Sequence, residues 1–466
     1  MARDTQEDLF GETDGTQSAA TARVLSIPAG VPFVDSLAAG LIKQYSDAPG
    51  LSRVRVLVPT RRSASALHNA FLRQSGGRPM LLPHIRPIGD VDIEELALDS
   101  LIAEALGGEG SGIADISPAV PSVLRQLLMS RIIMKWSHRY DAAPREPGHA
   151  AHLARELAHF IDQVHTEELS FNGLRTLVPD DLAHHWQKTL KFLQIISKEW
   201  PAVLEALGYV DPPRHRNALL AALADHWARE PPQDPVVAAG STGSTPATAR
   251  LLSVVSMLPN GSVILPGLDR RLDDAAWEMI GQTHPQFGMK QLLERMSVGR
   301  ADVSDWDTMT GDAVEPRVHL LSEVMRPADA TDKWYRTRTM LDGALSGLTR
   351  IECPGLREEA GVIALALREA LETPGKTAAL VTADRALARR VAAELKRWKI
   401  SVDDSGGVPL GQTAPGAFMR LILGMITNNL TPVPLLGALK HPLCAGGDAP
   451  GRFRARVRQL ELAILR

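Results

Sequence analysis

The stretch Val54–Phe71, VRVLVPTRRSASALHNAF, changes its hydrophobic period in the middle. Val54, Val56, Leu57 and Val58 form a short aliphatic run that suits a strand covered on both faces in a parallel sheet. Pro59 ends it. Ala64, Leu67, Ala70 and Phe71 then recur at helical spacing, with Thr60 or Ser63 placed to cap the first turn. Strand, tight corner and helix make the repeating unit of an open α/β sheet, which binds ligands beyond the carboxyl ends of its strands. Arg61 and Arg62 stand at that corner. Paired guanidiniums beside a helix N-terminus read as an anion site, phosphate foremost, against the commoner reading of a solvated helix start.

The same grammar returns in Ala378–Trp398, AALVTADRALARRVAAELKRW: an apolar run, a Thr-containing turn, an arginine and an Ala/Leu helix. Two related α/β domains are the reading that follows. A length of 466 residues also calls for two or three domains, and an apolar fraction of 44% is enough to build their cores.

Lys plus Arg number 51 against 54 Asp plus Glu, a net charge of −3, so a nucleic-acid surface has to be a local patch. Two cysteines, Cys353 and Cys444, exclude a four-thiolate cluster built from this segment and fit a reducing compartment. The sequence shows no charged-then-apolar leader and no apolar run of about 18 residues, so a soluble, cytoplasmic protein with no membrane partner is expected.

Taken in order, residues 1–22 are polar and Gly/Thr-rich and read as a disordered lead-in. Arg23–Ile27 reads as a strand, followed by Pro28-Ala29-Gly30-Val31-Pro32 and a helix to about Tyr45. A phosphate loop would occupy this corner in a nucleotide-binding fold. No Lys-Ser/Thr pair follows Gly30, so the lysine that neutralises phosphate and the hydroxyl that holds magnesium are both missing. Pro28, Ala29 and Gly30 are therefore expected to form a degenerate nucleotide site. The next sheet strand, Val236–Ala239, runs into Gly-Ser-Thr-Gly where a working ATPase would carry an acidic pair.

Other clusters have ordinary explanations. Asp90, Asp92, Glu94 and Glu95 suggest a metal but suit a helix first turn better, as do Asp273 and Asp274 before Trp277. Pro118–Arg229 reads as helices only, with stripes at Val123/Leu127/Leu128/Ile132, at Leu153/Leu157/Phe160/Ile161/Val164 and at Trp186/Leu190/Leu193/Ile196/Trp200. His152, His159, His165, His184 and His185 lack ligand spacing and are expected to be partly exposed. Gly375-Lys376-Thr377 precedes an apolar run instead of following one and is read as a turn. Asp384, Glu394 and Lys396 fall on one helix, which does not converge them on a metal as a nuclease core requires. Val303–Thr331 reads as a connector and Arg350–Cys353 as the first strand of the later domain.

Several long strings occur together in one order: LVPTRRSASALHNAFL, GGRPMLLPHIRPIGDVD, WQKTLKFLQIISKEWPAVLEALGYVDPPRHRNALL, VAAGSTGSTPATARLL and SVILPGLDRRLDDAAWEMIGQTHPQFGMKQLLERM. From about Val24 onward the chain resembles the B subunit of AddAB-type helicase–nucleases in its alphaproteobacterial form. The resemblance implies tandem RecA-like, superfamily 1 helicase-like parallel-sheet domains with an inserted all-helical subdomain. Its divisions would be 23–117 and 231–330 for the first RecA-like domain, 118–230 for the helical insertion and 331–466 for an incomplete second RecA-like domain. It implies work in double-strand break repair by homologous recombination, beside an A-subunit helicase–nuclease, on single-stranded and broken duplex DNA. Thr60, Arg61 and Arg62 match the strand–turn–helix position where such helicases grip single-stranded DNA. The family's nuclease domain, with its divalent metal and iron–sulfur cysteines, lies beyond Arg466, so no catalytic residue, metal or cofactor is assigned here. The uncapped helical spacing of Phe453, Val457, Leu460 and Ile464 reads as a chain that continues. An active helicase with an unconventional phosphate loop, and an assembly protein without DNA contact, are the competing readings.

Overall fold

The computed structural model describes residues 22–45, 50–88, 116–140, 146–171, 192–193, 195–306, 315–336 and 343–465. The acidic cluster at Asp90–Glu95, most of the lead-in, Trp186, Leu190, His184 and His185 lie outside these residues. Contacts divide the chain into two units, residues 1–347 and 348–466.

The first unit is built on six parallel strands: β1 (Val24–Ile27), β2 (Arg55–Val58), β3 (His84–Pro87), β4 (Val236–Ala239), β5 (Gly261–Pro266) and β6 (Ser304–Asp305). Their order across the sheet is β3-β2-β4-β5-β1-β6, so the chain enters through the strand that ends up between β5 and β6. This α/β order is consistent with a RecA-like sheet. Two helices follow the first two strands, α1 (Phe33–Gln44), with the short turn α2 (Gly50–Arg53) after it, and α3 (Arg61–Gln74).

Because successive strand side chains point to opposite faces, each strand serves two cores. Val56 and Val58 join Ile27, Val237, Ala239 and Ile264 beneath α1 and α3, where Leu37, Leu41, Leu67 and Phe71 are fully buried. Leu57 joins Val24, Val236, Ala238, Val263 and Leu265 on the other face. That continuous apolar reading of β2 is what covering on both faces demands.

Between β3 and β4 the chain runs through helices α4 (Ser122–Tyr140), α5 (Pro147–Thr166), α6 (Trp200–Leu207) and α7 (Pro212–Arg229), with one π-helical turn at Ile195–Glu199. Among the described residues, the crossover from β3 to β4 is therefore mainly helical. A parallel bridge between Ala119 and Val210 departs from the helix-only reading. Leu220, Leu223, Ala224 and Trp227 of α7 pack into the sheet's second core together with α8 (Pro246–Met257) and α10 (Phe287–Met296). The short α9 (Asp274–Glu278) lies between them in sequence.

Two sheet strands differ from the sequence reading. His84–Pro87 pairs with β2, and Ser304–Asp305, read as connector, pairs with β1. Trp306 then turns back onto α1 and donates its indole N–H to the Ser36 carbonyl at 3.0 Å. Gly40 makes this approach feasible: a Cβ there would lie 2.4 Å from the indole nitrogen.

The second unit carries helices α12 (Leu356–Leu371), α13 (Arg385–Arg397), α14 (Ala414–Thr427), α15 (Pro432–Leu439) and α16 (Pro450–Leu460), following α11 (Glu315–Val324) of the first unit. The helical half of the repeated grammar is formed, with Asp384 capping α13 through the Ala386 N–H at 2.7 Å. The strand half is not. Arg350–Cys353 and Ala378–Val381 have no ladder partner, and among its described residues this unit contains no strand. Ile351 is 58% and Val381 94% exposed, and of the second run only Leu380 packs against the helices. An apolar run specifies a strand only when a neighbour covers it. Pro374-Gly375 is a turn, with Gly375 at φ +78°, as its sequence indicates.

Candidate nucleic-acid interface

The loops that leave β1, β2, β4 and β5 meet at the carboxyl edge of the sheet. Gly267 donates its N–H to the Ile27 carbonyl at 2.8 Å and Gly240 to Ile264 at 3.0 Å. Gly240 has φ +77°, and a Cβ on it would come within 3.2 Å of Phe33 and 3.7 Å of Pro59. The β1 corner and the β2 corner are thus neighbours across the end of β4.

At the β2 corner, Thr60 has extended backbone and its hydroxyl accepts the Ser63 N–H at 3.0 Å. The Ser63 hydroxyl lies 2.8 Å from the same oxygen. Arg61 and Arg62 occupy the first two positions of α3 and both are exposed. The sequence reading of this corner is met in its backbone: strand, Pro59, a Thr cap, then two guanidiniums on the opening turn. Ala64, Leu67, Ala70 and Phe71 hold the opposite face of α3 in the core, which fixes where the arginines emerge.

At the β1 corner, Pro28, Ala29 and Gly30 turn into α1, and Gly30 takes φ +83°. Pro32 occupies the helix cap without a side-chain bond, and the first turn carries Asp35. Asp35 forms a bidentate pair with Arg73 of α3, at 2.9 and 3.1 Å. A carboxylate on the first turn complements the helix dipole in the way a bound phosphate otherwise would. The chemistry at this corner is thus a pin between α1 and α3, built from residues that the phosphate-loop comparison passes over.

A cleft of about 590 Å³ opens beside this corner, lined by Ser26, Pro28, Ala29, Val31, the loop after β5, His284–Gln286, Asp305 and the inner face of α11. Its floor is a closed hydrogen-bond set. The Gln286 amide donates to the Gly267 carbonyl at 3.0 Å and accepts the Asp269 N–H at 3.1 Å. The Asp269 carboxylate accepts the N–H groups of Arg271 and Leu272 at 2.9 and 3.1 Å. His284 accepts the Gln286 N–H at Nδ1, which assigns its proton to Nε2, 2.6 Å from the Met325 carbonyl. Arg270 pairs with Asp305 at 2.7 Å across the rim. Sequence reasoning missed Asp269, His284 and Gln286 because their partners are backbone groups brought close only by the fold.

Below the cleft, the Asp273 carboxylate caps α9 through the Ala276 N–H at 3.1 Å and receives Arg326 at 2.6 Å and Lys333 at 2.8 Å. Hydrogen bonds from Lys333 and then Arg326 hold its pKa far below the usual carboxylate range. Arg326 is pushed above its ordinary value, first by Glu323 and then by Asp273. Asp274 pairs with Arg300, whose guanidinium sits 4.9 Å from the centre of the Trp277 ring. Both aspartates are structural, as their helix-start position indicates.

The helical block holds one departure from expectation. His165 is only 8% exposed, whereas His152 and His159 are exposed as read. Its Nδ1 lies 3.5 Å from buried Asp211, which also accepts the Trp200 indole N–H at 3.1 Å and the Arg125 guanidinium at 2.9 Å. Burial lowers the His165 pKa, partly offset by Asp211. Burial raises that of Asp162, against the pull of Arg125. No group of three or more His, Cys, Asp or Glu side chains suited to a metal occurs among the described residues.

The first unit thus defines a parallel α/β domain whose carboxyl edge presents a capped arginine corner beside a modified first-strand corner. No protein-family model matches the chain, and no curated protein matches it either. No helix among the described residues is long and apolar enough to cross a membrane.

Proposed function

We propose that this chain is a helicase-like, non-motor subunit that binds single-stranded DNA during double-strand break resection. It would work beside an ATPase–nuclease partner of the A-subunit kind. One observation carries the reading: two exposed arginines are held on a Thr60-capped helix start at the carboxyl edge of a parallel sheet. Phosphates would meet the guanidiniums together with the N–H groups of the first turn of α3.

Support for a non-motor role comes from the neighbouring corner, where Phe33, Val34 and Asp35 follow the loop in place of a phosphate-binding lysine and hydroxyl. Support for a RecA-like ancestry comes from the sheet order, with the first strand between the fifth and sixth. The tandem superfamily 1 arrangement belongs to this proposal, as do the AddAB-type partner and the cytoplasmic setting.

The test is binding of labelled oligonucleotides to the full chain at rising salt. Arg61→Ala/Arg62→Ala should weaken single-strand binding whatever the sequence, and flatten the log–log salt slope by about 1.4, two contacts at about 0.7 each. An unchanged slope would remove the arginine corner from the DNA path and favour the assembly reading.

A further inference from the structure

The whole-chain charge of −3 conceals an uneven distribution, since Lys and Arg outnumber Asp and Glu in residues 348–466. Within that unit α13 and α16 carry most of the excess, each with four more cations than carboxylates, and α13 gathers its cations on one face. Leu387, Val391 and Leu395 turn one face of this helix into the core with Ala360 and Ala364 of α12. At 100° per residue the opposite face collects Arg389, Arg390, Ala393, Lys396 and Arg397 within about a third of a turn. All five are exposed.

Protein surfaces ordinarily intersperse both signs, and this face carries no carboxylate. Arg397 is paired with Glu394 at 2.7 Å, at the border of the face. Among the described residues, Arg389, Arg390, Lys396 and the adjoining Lys399 pair with no carboxylate. Arg389 turns its Nε back to the Arg385 carbonyl at 3.1 Å, which leaves its charge facing solvent. The two rows of cations, Arg389/Arg390 and Lys396/Arg397, are about 10.5 Å apart along the helix. Trp398, which closes the helix, falls on its core-facing side at this spacing, and its ring takes the Arg368 guanidinium of α12 at 4.9 Å.

We infer that the solvent face of α13 is a second nucleic-acid contact, taking the phosphodiester backbone on Arg389, Arg390 and Lys396. The choice of a nucleic acid over an acidic protein follows from what lies between the cations. Protein interfaces are anchored by a buried apolar or aromatic centre. Here the one exposed residue between the rows is Ala393. Cations spaced along a helix with no apolar centre among them match the electrostatic surface that tracks a nucleic-acid backbone. This contact is independent of the Arg61/Arg62 corner and stands or falls separately.

The experiment uses the full chain with a labelled single-stranded 20-mer and the corresponding duplex, titrated between 50 and 200 mM salt. Arg389→Ala/Arg390→Ala/Lys396→Ala should flatten the salt slope by about 2 for the single strand or about 2.7 for the duplex, and the larger loss identifies the natural form. Arg389→Lys/Arg390→Lys keeps the charge and should keep the slope, which separates lost phosphate contacts from a folding defect. Run in parallel, Arg61→Ala/Arg62→Ala reports on the first corner alone. A triple variant with wild-type slopes for both nucleic acids overturns the inference. So does one that loses affinity for poly-glutamate while its DNA binding is intact.

Discussion

Gly40 and Trp306 give a prediction whose sign reverses with context. In an isolated helix, replacing an interior glycine by alanine is stabilising by about 0.5–1 kcal/mol. In α1 the new Cβ would lie 2.4–2.5 Å from three atoms of the Trp306 indole. The ring is buried, 4% exposed, and tied to the Ser36 carbonyl at 3.0 Å, so it yields only by moving the segment after β6. Overpacking of this kind costs about 1–3 kcal/mol and a lost buried hydrogen bond about 1 more. Gly40→Ala should therefore destabilise the first unit by a net 1–3 kcal/mol. Trp306→Ala alone should cost about 3–5 kcal/mol through the cavity it leaves. In that background the obstacle is gone, and adding Gly40→Ala should stabilise by about 0.5–1 kcal/mol. Urea unfolding of the four members of the cycle measures both effects. Equal destabilisation by Gly40→Ala in the two backgrounds would refute the packing argument.

Thr60→Ala should lower stability by about 1 kcal/mol through loss of the α3 cap, with a smaller loss for Thr60→Ser, read by urea midpoint. Purified chain should show no DNA-stimulated ATP hydrolysis in a phosphate-release assay; turnover that survives mutation of any contaminating ATPase site would sink the non-motor reading. The His165 pKa is depressed in the folded chain, so the unfolded chain binds the proton more readily. Its contribution to stability is complete above about pH 6.5, the ordinary histidine value, and is lost as pH falls through that value toward the folded one. The urea midpoint of His165→Asn should accordingly fall less than wild type between pH 7 and 5.5. Asp273→Ala should cost about 1–2 kcal/mol at neutral pH, mostly the α9 cap, since the carboxylate is more than a third exposed and its ion pairs are screened. That margin should shrink below about pH 4, where the wild-type carboxylate begins to lose its advantage over the unfolded chain.

Strands with a strong aliphatic pattern were legible: β1, β2 and β4 each bury residues on both faces, and Thr60 declared the start of α3. The two outer strands were hidden for a shared reason. His84–Pro87 and Ser304–Asp305 are short and carry polar or charged side chains, so only the hydrogen bonds of an inner neighbour define them. The reverse error occurred in the later unit, where Ala378–Val381 has the composition of an inner strand and no neighbour to make it one. Composition reports what a segment could bury, and a sheet depends on what lies next to it. Arg61 and Arg62 were visible because a strand-to-helix corner is a local pattern. The Gln286–Gly267–Asp269 set and the His165–Asp211 contact join residues far apart in sequence or through backbone atoms, and no spacing rule reaches them.

The outer strands also restrict how another polypeptide can join this sheet. Among the described residues, β6 borders one flank with two residues before Trp306 turns away. On the other, β3 sits between Pro83 and Pro87, two residues without an N–H to donate, and shows His84 and Arg86. A foreign strand would find too few amides on either border to extend the ladder, which protects the domain from edge-to-edge polymerisation. A protein that grips this unit is therefore expected to hold its helices or its loop-bearing rim.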